Sequence, residues 1–158
     1  MTRFILIMIF FAPLMALSNN KVPPIFYFIG EFSEPFEVTI PGLPTTTIDN
    51  YAKFTPEGNG VEPTALNGVI ETYSSTGNDC YYEGKFTLDL NPESGISLVS
   101  TTEVMQWDSN AQDVVPAECK ITVKPNTDVD GISIDSTDSC IAICDAGASI
   151  HMTSGKRL

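Results

Sequence analysis

The sequence predicts an all-β chain whose antiparallel meander closes into a small barrel or sandwich. Beyond Leu66, short segments alternate apolar and polar residues or are rich in β-branched and aromatic residues. Clusters typical of turns, such as STGND, NPESG and PNTDVDG, separate these segments. No window of comparable length has the apolar period of an amphipathic helix. Strands this close in sequence pair with their neighbours, which favours the meander.

The first residues have the layout of a secretory signal peptide. Arg3 precedes an apolar run from Phe4 to Leu17, and small residues surround the end of that run. The run is shorter than the ~20 apolar residues of a membrane span. We therefore expect residues 1–18 to be cleaved rather than retained as an anchor. The predicted location is the periplasm or the outside of the cell, with no stable membrane insertion.

The next segment, residues 19–66, is rich in proline. It holds seven of the 11 prolines, around the runs IFYFIG and PFEVTI. Proline lacks an N–H, so this density excludes long helices and central strands. We interpret the segment as edge strands and extended connections that pack, through their phenylalanines, on a main domain of residues 67–158. The alternative is a partly mobile segment that presents these rings to a partner.

Six strands are predicted in the main domain, over residues 67–73, 81–90, 96–107, 119–124, 131–135 and 146–152. Alternation assigns faces within them, with Cys119, Ile121 and Val123 opposite the intervening polar residues. Ile132 and Ile134 are assigned in the same way. The final GKRL is predicted to be a frayed basic tail.

The four cysteines are predicted to form two disulfides, because an even number in an exported chain indicates oxidation. The CxxxC spacing and the single His fit no usual zinc pattern. If the strands run alternately up and down, Cys80, Cys119 and Cys140 lie toward one end of the sheet, and Cys144 follows closely. This geometry favours Cys119–Cys140 with Cys80–Cys144. The alternative is Cys80–Cys119 with a tight Cys140–Cys144 loop.

The charge of the chain is strongly negative. The formal net charge is -12, and it becomes -13 without residues 1–18, which carry one basic residue and no acidic one. Such a surface repels nucleic acid and anionic lipid and attracts basic proteins. Acidity that serves only solubility is the alternative. No glycine-rich phosphate loop and no basic patch with interleaved aromatics occurs in the sequence.

One string of oxygen-bearing residues suggests a metal. Asn126, Asp128 and Asp130 are followed by Gly131, as in the first half of a calcium loop, and Asp135 extends the series. The second half does not fit, because the twelfth position is a threonine and a strand-like ISI follows the glycine. The alternative is a hairpin turn between CKITVK and ISI, and we favour it. Calcium is the one cofactor that the sequence offers.

Two groups of aromatic residues beside acids are candidate binding residues. Tyr81 and Tyr82 precede a glutamate, and Trp107 precedes Asp108. Aromatics edged by acids are typical of a surface that binds a basic protein, and also of ordinary strand ends.

We expect no enzymatic activity. His151, the single imidazole, lies in SIHM near the C-terminus, and no G-x-S-x-G motif occurs. Oxidised cysteines supply no thiolate. We therefore place His151 on a sheet surface or a barrel end.

The order CYYEGKF, AECKITV, SCIAICDAGASI resembles small exported proteins of Gram-negative bacteria that carry a C-x-x-E/x-G strand, a C-x-L-x-V strand and a closing C-x3-C-x-x-G-A segment. The resemblance covers Cys80 to Ile150. Some similar compact β-barrel proteins inhibit lysozyme. Many others have no assigned role. The resemblance implies a disulfide-linked β-barrel, and lysozyme is a candidate partner.

Three functional hypotheses follow. The first is an exported acidic β-domain that binds a partner protein, a basic hydrolase such as lysozyme. The second is a structural or adhesive envelope component that assembles when its N-terminal segment pairs with a neighbour's sheet edge. The third is a calcium-dependent surface or carbohydrate binder that uses Asp128 and Asp130.

Overall fold

The computed structural model describes residues 24–58 and 63–158 as a closed antiparallel barrel, so the predicted signal peptide lies outside the described residues. Eight strands pair in chain order, and the last pairs with the first. Short 3₁₀ helices cover Pro24–Phe28 and Asp138–Ile143. The all-β meander is confirmed, and it closes as a barrel. The strands are β1 Gly30–Val38, β2 Thr46–Pro56, β3 Ala65–Tyr73, β4 Asp79–Asn91, β5 Gly95–Asp108, β6 Asp113–Asn126, β7 Gly131–Ser136 and β8 Met152–Arg157.

Side chains fill the barrel, as expected for eight strands. Phe54 packs edge-on against Phe86, with ring centroids 5.2 Å apart, and Phe32 packs against Phe54 at 6.3 Å. Gly68 makes room for these rings, because a Cβ there would lie 2.5 Å from Phe86. The interior is therefore a packed core. Its largest fully buried side chains are Phe28, Phe32, Phe54, Phe86, Leu66, Ile70, Leu98, Ile121, Ile132, Ile134, Ile150 and Met152.

Both disulfides lie at one end of the barrel, here called the disulfide pole. Cys119 bonds Cys140 and Cys80 bonds Cys144, which is the pairing that the meander favoured. The second 3₁₀ helix contains Cys140, ends just before Cys144, and contacts β4, β5 and β6. Two disulfides indicate an oxidising, non-cytoplasmic environment. None of the helices in residues 24–58 and 63–158 is long and apolar enough to span a membrane.

The proline-rich segment differs from its predicted role. It supplies β1 and β2, which are strands of the barrel rather than a segment packed on it. Pro35 fits within β1 because the backbone of odd-numbered β1 residues faces β8, as the bond from Leu158 N–H to Glu31 O shows. The β1–β8 ladder ends at Ser33. Pro35 therefore faces a side where β1 has no strand partner among the described residues, and its missing N–H breaks no ladder bond.

The C-terminal strand was predicted in the wrong place. The predicted strand 146–152 ends where β8 begins, and the GKRL tail, predicted to fray, supplies the end of β8 that closes the barrel. Residues 146–151 run across the disulfide pole, with Ala148 and Ile150 buried against the core. This extended packing gives the same alternation as a strand without ladder bonds, which explains the error.

Candidate functional site

The structure separates the two neighbouring tyrosines that the sequence assigned to binding. Tyr81 is exposed and donates its hydroxyl to Glu83 Oε2 at 3.2 Å, and the charge of Glu83 raises the pKa of Tyr81. Tyr82 is buried, with its hydroxyl 2.7 Å from Ser100 Oγ and its ring edge-on to Phe86. Successive strand residues point to opposite faces. Tyr82 is therefore not available to a partner, in contrast to the prediction.

The β5–β6 hairpin presents an exposed apolar cluster at the disulfide pole. Met105 lies opposite Pro116, and Trp107 lies opposite Val114. Directly opposite residues of an antiparallel pair share a face, so these four side chains lie together on the outward one. Trp107 is 61% exposed and Met105 is 56% exposed. Large apolar groups clustered at a surface are typical of interaction sites.

Two carboxylates lie next to this cluster on the same face. Glu103 is directly opposite Glu118, and both side chains are exposed. Like charges directly opposite each other destabilise a sheet. None of the ion pairs among the described residues includes either glutamate, although Lys120 lies two positions further along β6. We call Glu103, Met105, Trp107, Val114, Pro116 and Glu118 the outer hairpin face.

A hollow lies beside the two glutamates. Its volume is about 300 Å³, and its polar lining consists of Glu103, Glu118 and the adjacent threonines of β5. Two carboxylates in the lining of such a hollow create a negative potential where an ammonium or guanidinium group would be favoured. The full lining is Thr101, Thr102, Glu103, Pro116, Ala117 and Glu118.

Asp108, one of the predicted binding residues, has a local structural role. Its Oδ1 accepts hydrogen bonds from the N–H groups of Asn110 at 2.7 Å and Ala111 at 3.2 Å. Asp108 therefore fixes the turn of the hairpin and lies on the opposite face from Trp107. Gln112 completes this turn with a φ of 51°, a backbone conformation that few residues other than glycine adopt.

The segment proposed for calcium forms the β6–β7 hairpin turn. Asn126 pairs with Gly131, and Asn126 Oδ1 accepts a hydrogen bond from the N–H of Asp128 at 3.2 Å. This is a side-chain-stabilised turn between two strands, as in the alternative reading of the sequence.

The remaining carboxylates of that string are directed elsewhere. Asp130 accepts a hydrogen bond from Arg157 Nε at 3.2 Å, and Asp135 lies on β7 beside His151. In the part of the chain that the structure describes, no three His, Cys, Asp or Glu side chains form a group that could hold a metal ion. Calcium binding stays a prediction without a geometric site.

His151 lies between two polar partners on the barrel surface. Its Nδ1 is 3.1 Å from Asp135 Oδ1, and its Nε2 is 3.0 Å from Thr153 Oγ1. The order of groups is that of an acid–imidazole–hydroxyl triad. However, the His151 and Asp135 side chains are 57% and 63% exposed, and the nearby Thr153 N–H already donates to Glu34. Glu34 would repel an oxyanion, so this arrangement suits positioning of the chain better than acyl transfer.

Acidic groups also surround the Cys80–Cys144 disulfide. Burial and a hydrogen bond with Asp145 raise the pKa of Asp79. A hydrogen bond from Tyr73 to Glu71, 2.6 Å long, raises the pKa of Tyr73 to about 12. The disulfide pole is thus negative beyond the hairpin itself, which extends the field that a basic partner would meet.

None of the protein-family models matches the chain, and neither a curated protein nor a solved structure matches it. The site described above therefore stands on the geometry of this chain.

Most residues of the outer hairpin face were not predicted from the sequence as binding residues. Of its members only Trp107 was predicted, whereas Met105, Val114, Pro116 and the opposed glutamates were not. A signal was present, because MQW and DVVP flank a short polar turn and would place these residues opposite each other in a hairpin. The residues before Cys119 were instead left out of the predicted strand.

Proposed function

We propose that this protein is exported and acts by binding a basic protein, a hydrolase such as lysozyme, through the outer hairpin face. The observation that carries the proposal is the Glu103–Glu118 pair, set next to exposed Trp107 and Met105. Two opposed carboxylates cost stability in the free protein, and a cationic side chain placed between them would remove that cost. Binding is thus coupled to relief of a local repulsion.

The apolar residues would supply affinity, and the acids would supply orientation and rate. Trp and Met in the centre of a small patch are typical of residues that lose much binding energy when truncated. The net charge of -12 would attract a basic partner at long range. The resemblance of the Cys80 to Ile150 segment to lysozyme-inhibitor-like proteins supports a lysozyme as the partner. The signal-like residues 1–18 and the disulfides support export.

The direct test is the affinity of the oxidised protein for a basic lysozyme, measured by calorimetry, together with the rate of cell-wall lysis. We expect binding at low salt that weakens roughly tenfold by ~0.15 M salt. We expect Trp107→Ala to weaken binding at least tenfold. Leu90→Ala is the matched control, since Leu90 is 62% exposed but lies one residue before the end of β4, at the opposite pole.

The outcomes separate the proposal from its alternatives. Absence of binding to several basic hydrolases at low salt would contradict it. Equal losses for Trp107→Ala and Leu90→Ala would show that the outer hairpin face is not the binding surface. The assembly hypothesis has the N-terminal segment, residues 19–66, pair with a neighbour's sheet edge. The place of β1 and β2 in the chain's own barrel favours the partner-binding proposal over it.

A further inference from the structure

β5 separates from β4 at the disulfide pole. It pairs with β4 only from Gly95 to Val99, whereas it pairs with β6 as far as Asp108. Between Thr101 and Trp107, the β4 side of β5 therefore has no strand partner among the described residues. No backbone bond from another described loop reaches it either. This part of β5 is an open sheet edge.

The direction of the backbone groups follows from β6. Lys120 N–H donates to Thr137 Oγ1 at 2.9 Å, and Lys120 O accepts from Thr137 N–H at 3.0 Å, both on the β7 side. Even-numbered residues in this part of β6 thus direct their backbone groups away from β5. Pro116, which has no N–H to offer a ladder, is one of them.

The opposite residues of β5 then face the open side. Along a strand, the N–H and C=O groups of successive residues point to opposite neighbouring strands. Two directly opposite residues of an antiparallel pair therefore either hydrogen-bond each other or both direct these groups away from each other. Because Thr101 lies opposite Lys120, its N–H and C=O face away from β6. The same holds for Glu103, Met105 and Trp107. Their side chains also lie on the exposed face, so both the backbone and the side chains of these residues are available to a partner.

The other edges at this pole are covered in part. On β1, Pro35 removes a donor, and the Glu34 carboxylate accepts the N–H groups of Thr153 and Ser154 across the gap to β8. Proline and inward charges are means by which proteins block strand addition. The chain therefore protects this gap with its own side chains.

The segment that carries the disulfides covers one end of the β4 edge and one point of the β6 edge. Cys144 forms a bridge with Cys80 of β4, and Asp145 N–H donates to Asp79 O at 2.8 Å. On β6, the hydroxyl of Ser139 donates to Glu118 O. The second 3₁₀ helix also contacts β5, but no backbone hydrogen bond from a described loop reaches residues 101–107.

We infer that the β5 edge, residues 101–107, is a strand-addition site for an extended basic segment of the partner. This inference rests on the proposed function and specifies how the partner is held. An added strand would bond the four outward backbone pairs and place every second side chain on the outer hairpin face. Its basic side chains would lie beside Glu103.

The acidic charge at the β5 edge favours a basic segment over a second copy of this chain. A second copy of this chain would bring its own Glu103 and a formal charge of -12 to the same edge, and like charges oppose that pairing. A segment that alternates Lys or Arg with β-branched residues has both the charge and the extended conformation that the edge requires.

Two synthetic peptides test the inference on the intact, oxidised protein. The first is acetyl-Lys-Val-Lys-Val-Lys-Val-Lys-amide, whose seven residues match the length of the edge. The second is identical but N-methylated at the backbone nitrogens of its lysines, which removes the donors while keeping the charge. We expect the first peptide to bind at least tenfold more tightly. Equal affinity of the two peptides, or no binding of either, would overturn strand addition.

Amide hydrogen exchange gives a second readout. In the free protein, we expect the amides of Glu103, Met105 and Trp107 to exchange faster than those of Val104 and Gln106, which bond β6. The first peptide should slow the fast set at least tenfold. Unchanged exchange in the peptide complex would also overturn the inference.

A backbone variant separates the contribution of the β5 backbone from that of the side chains on the outer hairpin face. Met105→Ala keeps the amide, whereas Met105→Pro removes it, so we expect a further loss of peptide binding, at least fivefold, in the proline variant alone. Should the proline variant fail to fold, the two peptides and the hydrogen-exchange pattern still test strand addition. Lysozyme binding that requires Trp107 but not the edge would leave the proposed function standing without strand addition. Failure of lysozyme binding would count against the proposed function itself.

Discussion

Arg157 stacks its guanidinium over the ring of Phe32, 4.7 Å from the ring centroid, where β8 meets β1 and closes the barrel. The same group donates to the backbone oxygens of Ile29 at 2.8 Å and Tyr27 at 2.5 Å. Its Nε donates to Asp130 on the β6–β7 turn. One side chain near the C-terminus thus joins the N-terminal helix, the first strand and a distant turn.

We expect Arg157→Ala to lower the free energy of unfolding by about 2–3 kcal/mol, since charged hydrogen bonds and a cation–π contact are lost together. The unfolding free energy of Arg157→Lys should lie between those of the wild type and Arg157→Ala, because a lysine keeps the charge but not the planar guanidinium group. Lys156→Ala, at an exposed neighbouring position, serves as the control. Urea unfolding under oxidising conditions measures all three. A loss equal to that of the control would mean that the barrel closes without Arg157.

Loss of the hydroxyl should lower the unfolding free energy more at Tyr82 than at Tyr81. Tyr82→Phe removes a buried hydrogen bond to Ser100, and we expect it to cost about 1 kcal/mol of unfolding free energy. Tyr81→Phe removes only an exposed bond to Glu83, and its effect should be within about 0.5 kcal/mol. Urea unfolding of the two variants tests this. A larger loss in the Tyr81 variant would contradict the assigned faces.

Charge reversal at Glu103 should stabilise the fold while it weakens binding. Glu103→Lys places a cation opposite Glu118, and we expect a gain of about 0.5–1 kcal/mol in unfolding free energy. Affinity for a basic lysozyme should fall at least tenfold. Asp89→Lys makes the same charge change at an exposed site on β4.

The two variants separate local from overall electrostatics. The stability gain of Glu103→Lys should shrink at high salt, because the new pair is exposed. If Asp89→Lys weakens binding as much as Glu103→Lys does, net charge alone governs the association, and the outer hairpin face has no special role.

The phenol of Tyr73 should titrate at unusually high pH. Its hydrogen bond to Glu71, with burial and the charge of Glu71, raises its pKa from 10.0 to about 12. A raised pKa means that the folded state favours the protonated phenol. The associated stability is therefore complete below about pH 10 and is lost as the pH rises from 10 to 12. Absorbance titration should show a late tyrosinate step that Tyr73→Phe abolishes. A late step that persists in that variant would contradict the assignment.

Several strands were predictable because one face of each packs on the core. The alternation of Cys119, Ile121 and Val123 identified β6, and the buried Ile132 and Ile134 identified β7. The sequence also favoured the observed disulfide pairing over one alternative, since Cys119–Cys140 joins the open ends of a single hairpin. The misplaced last strand shows the limit of this reasoning. Burial of Ala148 and Ile150 alternates along a segment that caps the barrel without pairing.

The candidate site was predictable only in part, because it depends on which residues lie opposite each other. Trp107 was identified as an aromatic beside an acid, but Glu103 and Glu118 gain their significance from the register of β5 with β6. A shift of that register by one residue would place them on different faces. The misassigned Tyr82 has the same origin, since its neighbour Tyr81 looks equivalent in the sequence.

The sequence by itself determined the fold class, the two disulfides and the acidic surface, because apolar alternation, cysteine number and charge are properties of the chain as written. Only the tertiary structure decided how the barrel closes, which edges stay open and which charges oppose each other. These features depend on contacts between residues far apart in the chain, such as Phe32 with Arg157. Such contacts cannot be inferred from local sequence patterns, because they form only when the barrel closes.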